Sequence, residues 1–346
     1  MSEIPSEVDP AAHGRLGARP PRTRVWRNGK VEVEGFPVAE VSDYLEQPDA
    51  VVWLDLCAPD HEAFTVLAEE LDLDPVAVED AVSRHERTKL DRYNKYAFLN
   101  VYSPECAPDG ELVLHEVSAF ITERALVTVR QDAGFDIDAL IRRWDDSPDI
   151  ERPELVRYGV AYLLYNLLDM VVDAHLDTIQ TLDAEADELG DLVFDDGYPV
   201  RDIQRRSFNL RRNLVSLRRI ALPMRELVNT LLRRDLQLVA APLVPYYQDV
   251  YDHTMRVSEW SDSLRDMVAN LLDTRIALQG NRLNEVMKKV TSWAAIIAVP
   301  TAVTGFYGQN VPYPGSGAHW GFVTSAVIMV TCSVALYAVF KARDWL

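Results

Sequence analysis

The sequence predicts an α+β cytoplasmic domain followed by long helices and two C-terminal transmembrane helices. Short β-branched and aromatic runs alternate with helical segments in residues 24–150. Apolar residues then recur at helical spacing in residues 151–289, with few interruptions by Gly or Pro. Residues 290–340 contain no Asp, Glu, Lys or Arg, although 26% of the chain is charged. Such a run is typical of segments that lie in lipid.

The composition of the whole chain excludes several classes of protein. The formal net charge is −19, which argues against nucleic acid as a partner because nucleic-acid binding needs a basic surface. Cys57, Cys106 and Cys332 are scattered, without the pairing of a disulfide framework or the spacing of a zinc site. Residues 1–23 are rich in Pro, Gly, Ala and charge and lack an apolar core. They predict a disordered tail rather than a signal peptide.

An α/β cytoplasmic domain is predicted over residues 24–150. Helices are expected at residues 61–71 and 75–83, where Asp74 precedes a proline at the favoured first helical position. No phosphate-binding glycine loop and no HExxH or GxSxG motif occurs, so the domain is not expected to be an enzyme. The strands are predicted at residues 24–35, 50–56, 96–102, 111–122 and 125–130.

Long helices are expected after the α/β domain. Residues 151–241 predict two antiparallel helices, separated by an Asp-Asp-Gly-Tyr turn at residues 195–198. A stalk helix is predicted over residues 242–289 and has no break before the first span. Residues 245–306 would then form one rod of about 90 Å. Pro300 should kink this rod because its ring removes a backbone hydrogen bond.

The uncharged run is too long for one span of about 20 residues and divides at a loop rich in Gly and Pro. This division predicts transmembrane helices at residues 290–307 and 322–340, an external loop at 308–321 and a cytoplasmic tail at 341–346. The positive-inside rule predicts a multi-pass protein of the cell membrane with both termini in the cytoplasm. The basic residues that support this orientation are Lys288, Lys289, Lys341 and Arg343.

A small and polar stripe runs along the first transmembrane helix and its approach. It predicts the wall of an ion pore, although close packing between membrane helices also uses small residues and is the alternative. The same register continues upstream through acids where a coiled-coil seam would be apolar, so Asp273 and Asp266 predict a cytoplasmic funnel that gathers cations. A solvated helix surface is the alternative for these acids. The stripe consists of Asn284, Met287, Thr291, Ala294, Ala298, Thr301 and Gly305.

Several short motifs give the sequence a family resemblance. They are a Tyr-Gly-Gln-Asn turn at residues 307–310, NEVMK at 284–288, QDVYDHT at 248–254, PVAVED at 75–80 and RTKLDRYNKYAF at 87–98. In these motifs the chain resembles the CorA family of magnesium channels, over nearly its whole length after residue 24. The resemblance implies a funnel-shaped homopentamer whose first transmembrane helices line a pore for passive uptake of Mg²⁺, and also of Co²⁺. The partners would be other copies of the chain, membrane lipids and divalent cations.

The resemblance also implies the metal-binding positions. Gly308, Gln309 and Asn310 would form the selectivity filter, where neutral oxygens can hold Mg²⁺ through its water shell. Intracellular Mg²⁺ bound between subunits would close the pore. The family usually has Met at the position of Gln309, so a related Zn²⁺, Co²⁺ or Ni²⁺ transporter, with or without proton coupling, is the alternative. The implied regulatory ligands are Asp80, Asp249 and Glu79.

Overall fold

The computed structural model describes residues 20–59, 61–82, 87–145, 158–195, 197–233, 238–309 and 314–346. Most of the predicted disordered tail lies outside the described residues, as do Asn310 and one residue of the predicted turn at 195–198. Arg22 and Thr23 fall inside the predicted tail, but they belong to the first β-strand. Regular structure therefore begins before residue 24.

Within the described residues, seven strands and four short helices form the α/β part of the chain. The strands are β1 (Arg22–Arg27), β2 (Lys30–Glu34), β3 (Ala50–Cys57), β4 (Lys89–Arg92), β5 (Ala97–Cys106), β6 (Leu112–Ile121) and β7 (Ala125–Arg130). The helices are α1 (Val41–Leu45), α2 (His61–Glu70), α3 (Pro75–Val82) and α4 (Ile137–Asp145). The strand order is β2-β1-β3-β7-β6-β5-β4, and β3 with β7 is the parallel pair.

Apolar side chains cover both faces of this sheet. Phe98 and Leu99 are adjacent in β5 and point to opposite faces, as successive strand residues do. Phe98 packs in a cluster with Phe64 of α2, whereas Leu99 packs in a second cluster with Leu140 of α4. Burial on both faces explains why the central strands are almost continuously apolar.

Every predicted strand is present, but the first one is a hairpin. Residues 24–35 form β1 and β2, which are joined at Asn28 and Gly29 with φ values of 50° and 75°. Asn-Gly favours this tight turn because both residues tolerate a positive φ. The sequence interpretation did not predict β4, α1 or α4.

A buried ion pair joins the two parallel strands. Nη2 of Arg130 on β7 lies 2.6 Å from Oδ2 of Asp55 on β3, and both side chains are 2% exposed. The hydroxyl of Thr128 donates a further hydrogen bond of 2.8 Å to Oδ1 of Asp55. Because a buried charge without a partner is costly, this network fixes the register of β3 against β7.

Two long helices follow, α5 (Val160–Phe194) and α6 (Val200–Leu232). They agree with the predicted helical pair, although the part of that prediction from 151 to 157 lies outside the described residues.

Helix α5 also covers a sheet edge. Strand β4 pairs only with the first four residues of β5, from Ala97 to Asn100. Beyond them, Nε2 of His175 donates to the carbonyl of Tyr102 at 2.8 Å. Complete burial lowers the pKa of His175 to about 4, so its imidazole is neutral.

The last two helices are α7 (Val244–Tyr307) and α8 (His319–Ala342). Helix α7 has 64 residues and continues through Pro300, so the stalk and the first span form one helix as predicted. Both helices are long and apolar enough to cross a membrane.

The chain divides into two compact units. Residues up to 192 and 197–269 form the first, and Val193–Asp196 with Asn270–Leu346 form the second.

Candidate functional site

The predicted stripe on α7 lies on the exposed side of the helix in the single chain. All seven stripe residues, from Asn284 to Gly305, are exposed. The covered side of the helix is the opposite one, where Ser292 is buried and Ile296, Val299 and Val303 are half-buried. Exposure also extends to flanking apolar residues. The single chain therefore leaves the small and polar stripe available and uses the face behind it for its own packing.

The first part of the predicted stripe lies beside Trp345. Asn281, Asn284, Met287 and Thr291 on α7 line one groove together with Trp345, which follows α8. Trp345 thus lies near the start of the first span. The point where the first span begins and the point where the second span ends are therefore close together. This arrangement is a hairpin, as the sequence predicted.

Helix α7 ends at the predicted filter. The amide of Gly308 donates a hydrogen bond of 2.8 Å to the carbonyl of Thr304. A Cβ atom at Gly308 would lie 2.9 Å from that same carbonyl oxygen, which is too close for any other residue without a backbone shift. Gln309 is exposed, and Asn310 lies outside the described residues. The structure thus gives a steric reason for glycine at this turn and leaves the filter a prediction.

The predicted funnel acids both lie at the surface. Asp266 is exposed, and one of its carboxylate oxygens is 3.3 Å from Nη2 of Arg265 on the same helix. Asp273 is exposed as well. Their exposure is compatible with a cation-attracting funnel and with the alternative of a solvated helix surface.

Asp80 on α3 already has a cation beside it. Nζ of Lys89 lies 2.6 Å from its carboxylate and 3.3 Å from that of Asp91. Although burial opposes the positive charge, pairing with Asp80 raises the pKa of Lys89 above its usual value. Glu79 is exposed. A divalent ion at Asp80 would therefore compete with Lys89.

Asp249 on α7 belongs to a different cluster. Its carboxylate, that of Asp169 on α5 and the imidazole of His253 each offer a ligand atom, and these atoms all lie within 4.8 Å of one another. Two carboxylates and one imidazole form a ligand set that suits divalent cations. Asp80 and Asp249, which the sequence interpretation paired between subunits, lie in separate clusters of the single chain.

Asp169 is the buried carboxylate of this cluster. It is 6% exposed, and burial raises its pKa to about 6 despite the opposing effect of Arg143. The guanidinium of Arg143 contacts both Asp169 and Asp173. A bound cation would stabilise the ionised form of this desolvated carboxylate. Sequence reasoning missed Asp169, which only tertiary packing places here, but His253 could have been found because it lies one helical turn after Asp249.

Comparison with known proteins agrees with this arrangement of domain, helices and spans. The family pattern of the CorA-like Mg²⁺ transporter protein matches residues 48–342. The chain belongs to this family. The cobalt/magnesium transport protein CorA of Thermotoga maritima is 31% identical over 285 residues, which are 81% of this chain and 79% of that protein. The protein of the same name from Methanocaldococcus jannaschii is 23% identical, over 86% of this chain and 92% of that one.

The fold is also that of a CorA protein. The structure of the CorA magnesium transporter from Methanocaldococcus jannaschii superposes with a TM-score of 0.76 at 22% sequence identity, over 94% of this chain and 98% of that chain. The CorA resemblance read from the motifs is thus confirmed, together with its α/β domain and two C-terminal apolar helices. CorA proteins are membrane transporters of metal ions and not a known class of enzyme.

Proposed function

We propose that this CorA protein is a passive channel through which Mg²⁺, and also Co²⁺, enters the cell. The channel is a homopentamer in the cell membrane, with both termini in the cytoplasm and with α7 of each subunit around the pore. The observation that carries this proposal is the placement of the stripe. Asn284 to Gly305 face away from the packed side of α7, so copies around an axis can present the stripe to a shared water-filled path.

The filter acts on the hydrated ion. Mg²⁺ loses its water reluctantly and keeps several waters when it binds. Backbone carbonyls and the amides of Gln309 and Asn310 can accept hydrogen bonds from those waters without the strong binding of carboxylates, which would slow release. No coupled energy source is needed, because a divalent ion that moves inward across 100 mV gains roughly 4.6 kcal/mol.

Regulation uses the cluster on α5 and α7. Asp249 and Asp169 repel each other when both are ionised, and a Mg²⁺ ion between them would replace that repulsion with attraction. Asp80 and Glu79 of a neighbouring subunit would complete the shell, with Asp80 exchanging Lys89 for the ion. Intracellular Mg²⁺ would then favour the closed pore through its higher affinity for the state in which subunits are held together.

Cysteine labelling tests the pore assignment. Single cysteines at Thr291, Ala294 and Ala298 should react with a small charged thiol reagent, because these positions would face water. Ile296, Val299 and Val303 are the matched control positions, since they lie on the packed face of the same helical turns. The background variant lacks Cys332, which is exposed in α8. Equal labelling of the two sets, measured by mass spectrometry in proteoliposomes, would remove the pore assignment.

Ion competition tests the alternative function, a Zn²⁺, Co²⁺ or Ni²⁺ transporter with or without proton coupling. Such a transporter would be expected to offer sulfur or imidazole ligands along its path, and the stripe offers only the thioether of Met287. We expect Mg²⁺ influx into proteoliposomes without a pH gradient, and competition by Co²⁺. Influx of Zn²⁺ in strong preference to Mg²⁺, or influx only with a proton gradient, would support the alternative.

A further inference from the structure

Helix α6 is basic in a strongly acidic protein. Its 33 residues include eight arginines, no lysine and two acidic residues, whereas the whole chain has a formal net charge of −19. This helix contributes no residue to the proposed pore or to the cluster of Asp169, Asp249 and His253. The positive charge therefore requires an explanation of its own.

One exposed face of α6 combines arginines with large apolar residues. Phe208, Val215 and Leu222 recur every seven residues and are 67%, 50% and 36% exposed. Arginines alternate with them at steps of three and four, which keep all of them on one side of the helix. The opposite side, which includes Leu210 and Leu217, is buried in the same chain. The arginine–apolar face consists of Arg201, Arg205, Phe208, Arg212, Val215, Arg219 and Leu222.

Most charges of the arginine–apolar face have no internal partner. In the described part of the chain, Arg201, Arg205 and Arg219 form no ion pair, and Arg212 pairs with Glu111. Two other arginines of α6 have partners in the same chain, since Arg206 binds Glu188 of α5 and Arg218 binds Asp262 of α7. The face is thus a second, outward surface of α6, with three guanidinium groups available to an external anionic partner.

The exposed side of α5 has the complementary charge. Asp177, Asp187 and Asp191 lie along one face of this helix at exposed positions. None of them forms an ion pair with another described residue. Ala184 is exposed on the same face and leaves space for a large side chain. The acidic face spans residues 177–191 and the arginine–apolar face spans residues 201–222, so the acidic face is the shorter of the two.

We propose that the arginine–apolar face of α6 in one copy of this chain docks on the acidic face of α5 in a neighbouring copy. The interface joins two different surfaces, so every copy offers one of each, and such head-to-tail contacts can close into a ring. The centre of the interface is filled by Phe208, Val215 and Leu222, which are removed from contact with water. The arginines pair with aspartates around this centre. The proposal rests on the homo-oligomeric assembly of the proposed function.

An anionic membrane surface fits the same face less well. Helices that lie on membranes bury a broad apolar face and keep the charges on the opposite side. In α6 the broad apolar side is buried in the chain, and the exposed apolar residues form a single line between arginines. Seven-residue recurrence of this kind is typical of contacts between helices.

Zero-length cross-linking with a carbodiimide tests the interface in the full-length protein. The first tagged copy carries R205K and R219K, which keep the charge and supply amines, together with D177N, D187N and D191N. The second, coexpressed copy keeps all its native aspartates. A link from position 205 or 219 to Asp187 or Asp191 can then form only between copies. In the control, the first copy carries R92K in place of R205K and R219K. Arg92 is exposed, forms no ion pair among the described residues and lies in β4.

We expect a cross-linked dimer in vesicles of neutral phosphatidylcholine, with peptides that join α6 of the first copy to α5 of the second, and none from the R92K control. Absence of those peptides in an assembly that still conducts Mg²⁺ would overturn the docking and leave the channel function standing. Cross-links without Mg²⁺ influx would support the docking and count against the function. Loss of the cross-links when phosphatidylserine is added would show that α6 prefers lipid, and would also overturn the proposal.

Discussion

Replacement of Asn310 by alanine is expected to reduce Mg²⁺ influx strongly while the assembly stays intact. Asn310 follows the glycine turn that ends α7, and its amide would supply one oxygen per subunit to the ring around the hydrated ion. Loss of all copies of that oxygen should reduce influx at least about tenfold, which corresponds to about 1.4 kcal/mol in the barrier. Fluorescence of a Mg²⁺ indicator inside proteoliposomes measures the rate, and size-exclusion chromatography measures the assembly.

Gln309→Met is the matched control for the filter, because it changes the neighbouring side chain to the residue usual in the family and keeps Asn310. We expect its Mg²⁺ influx to be close to that of the unmodified protein. Normal influx in the Asn310→Ala variant would exclude Asn310 from the filter. A reversal of ion preference in Gln309→Met would instead assign ion recognition to position 309.

We expect Mg²⁺ to protect the full-length protein from protease because it holds subunits together, and Asp249→Asn to remove most of that protection. The change deletes one negative ligand from the cluster with Asp169 and His253 and leaves the size of the side chain the same. We expect the Mg²⁺ concentration at half-protection to rise at least about tenfold, or about 1.4 kcal/mol. Limited proteolysis of the purified full-length protein across a Mg²⁺ titration measures this shift.

Two further variants make that experiment selective. Asp252→Asn is the control, since Asp252 is exposed on the same helix and lies outside the cluster. Asp169→Asn should resemble Asp249→Asn if the ion sits between α5 and α7. Protection that responds to Asp80→Asn but not to Asp169→Asn would place the ion between subunits, away from Asp169. An unchanged titration in all of these variants would contradict the regulatory site.

The parts of the fold that the sequence predicted are those with a long or repeated pattern. Helices α5 to α8 repeat apolar residues at helical spacing or, in residues 319–340 of α8, contain no Asp, Glu, Lys or Arg, and the central strands are apolar runs bounded by turns. Strand β4 has the sequence Lys-Leu-Asp-Arg and contains no such pattern, because its residues are half-exposed or exposed at the sheet edge. The β1–β2 hairpin was missed although Asn28 and Gly29 carried its signal.

The cluster of Asp169, Asp249 and His253 shows a different limit of sequence reasoning. Asp249 was predicted by its motif, and His253 shares its helix face. Asp169 lies 80 residues earlier, between apolar residues of α5, and nothing local separates it from the other acids of the chain. Its place in the cluster depends on burial and on the approach of α7, which are properties of the folded chain alone. The same holds for the pairing of Asp55 with Arg130.

The covered edge of β5 has a consequence for synthesis on the ribosome. The carbonyls of Tyr102 and Pro104 receive hydrogen bonds from His175 and Thr178, which follow them by 73 and 74 residues. A nascent chain that has released β5 but not α5 therefore lacks the hydrogen bonds that α5 donates to this edge, and uncovered strand edges are surfaces through which sheets join other chains and aggregate. Emergence of α5 ends that exposure before the apolar spans are made.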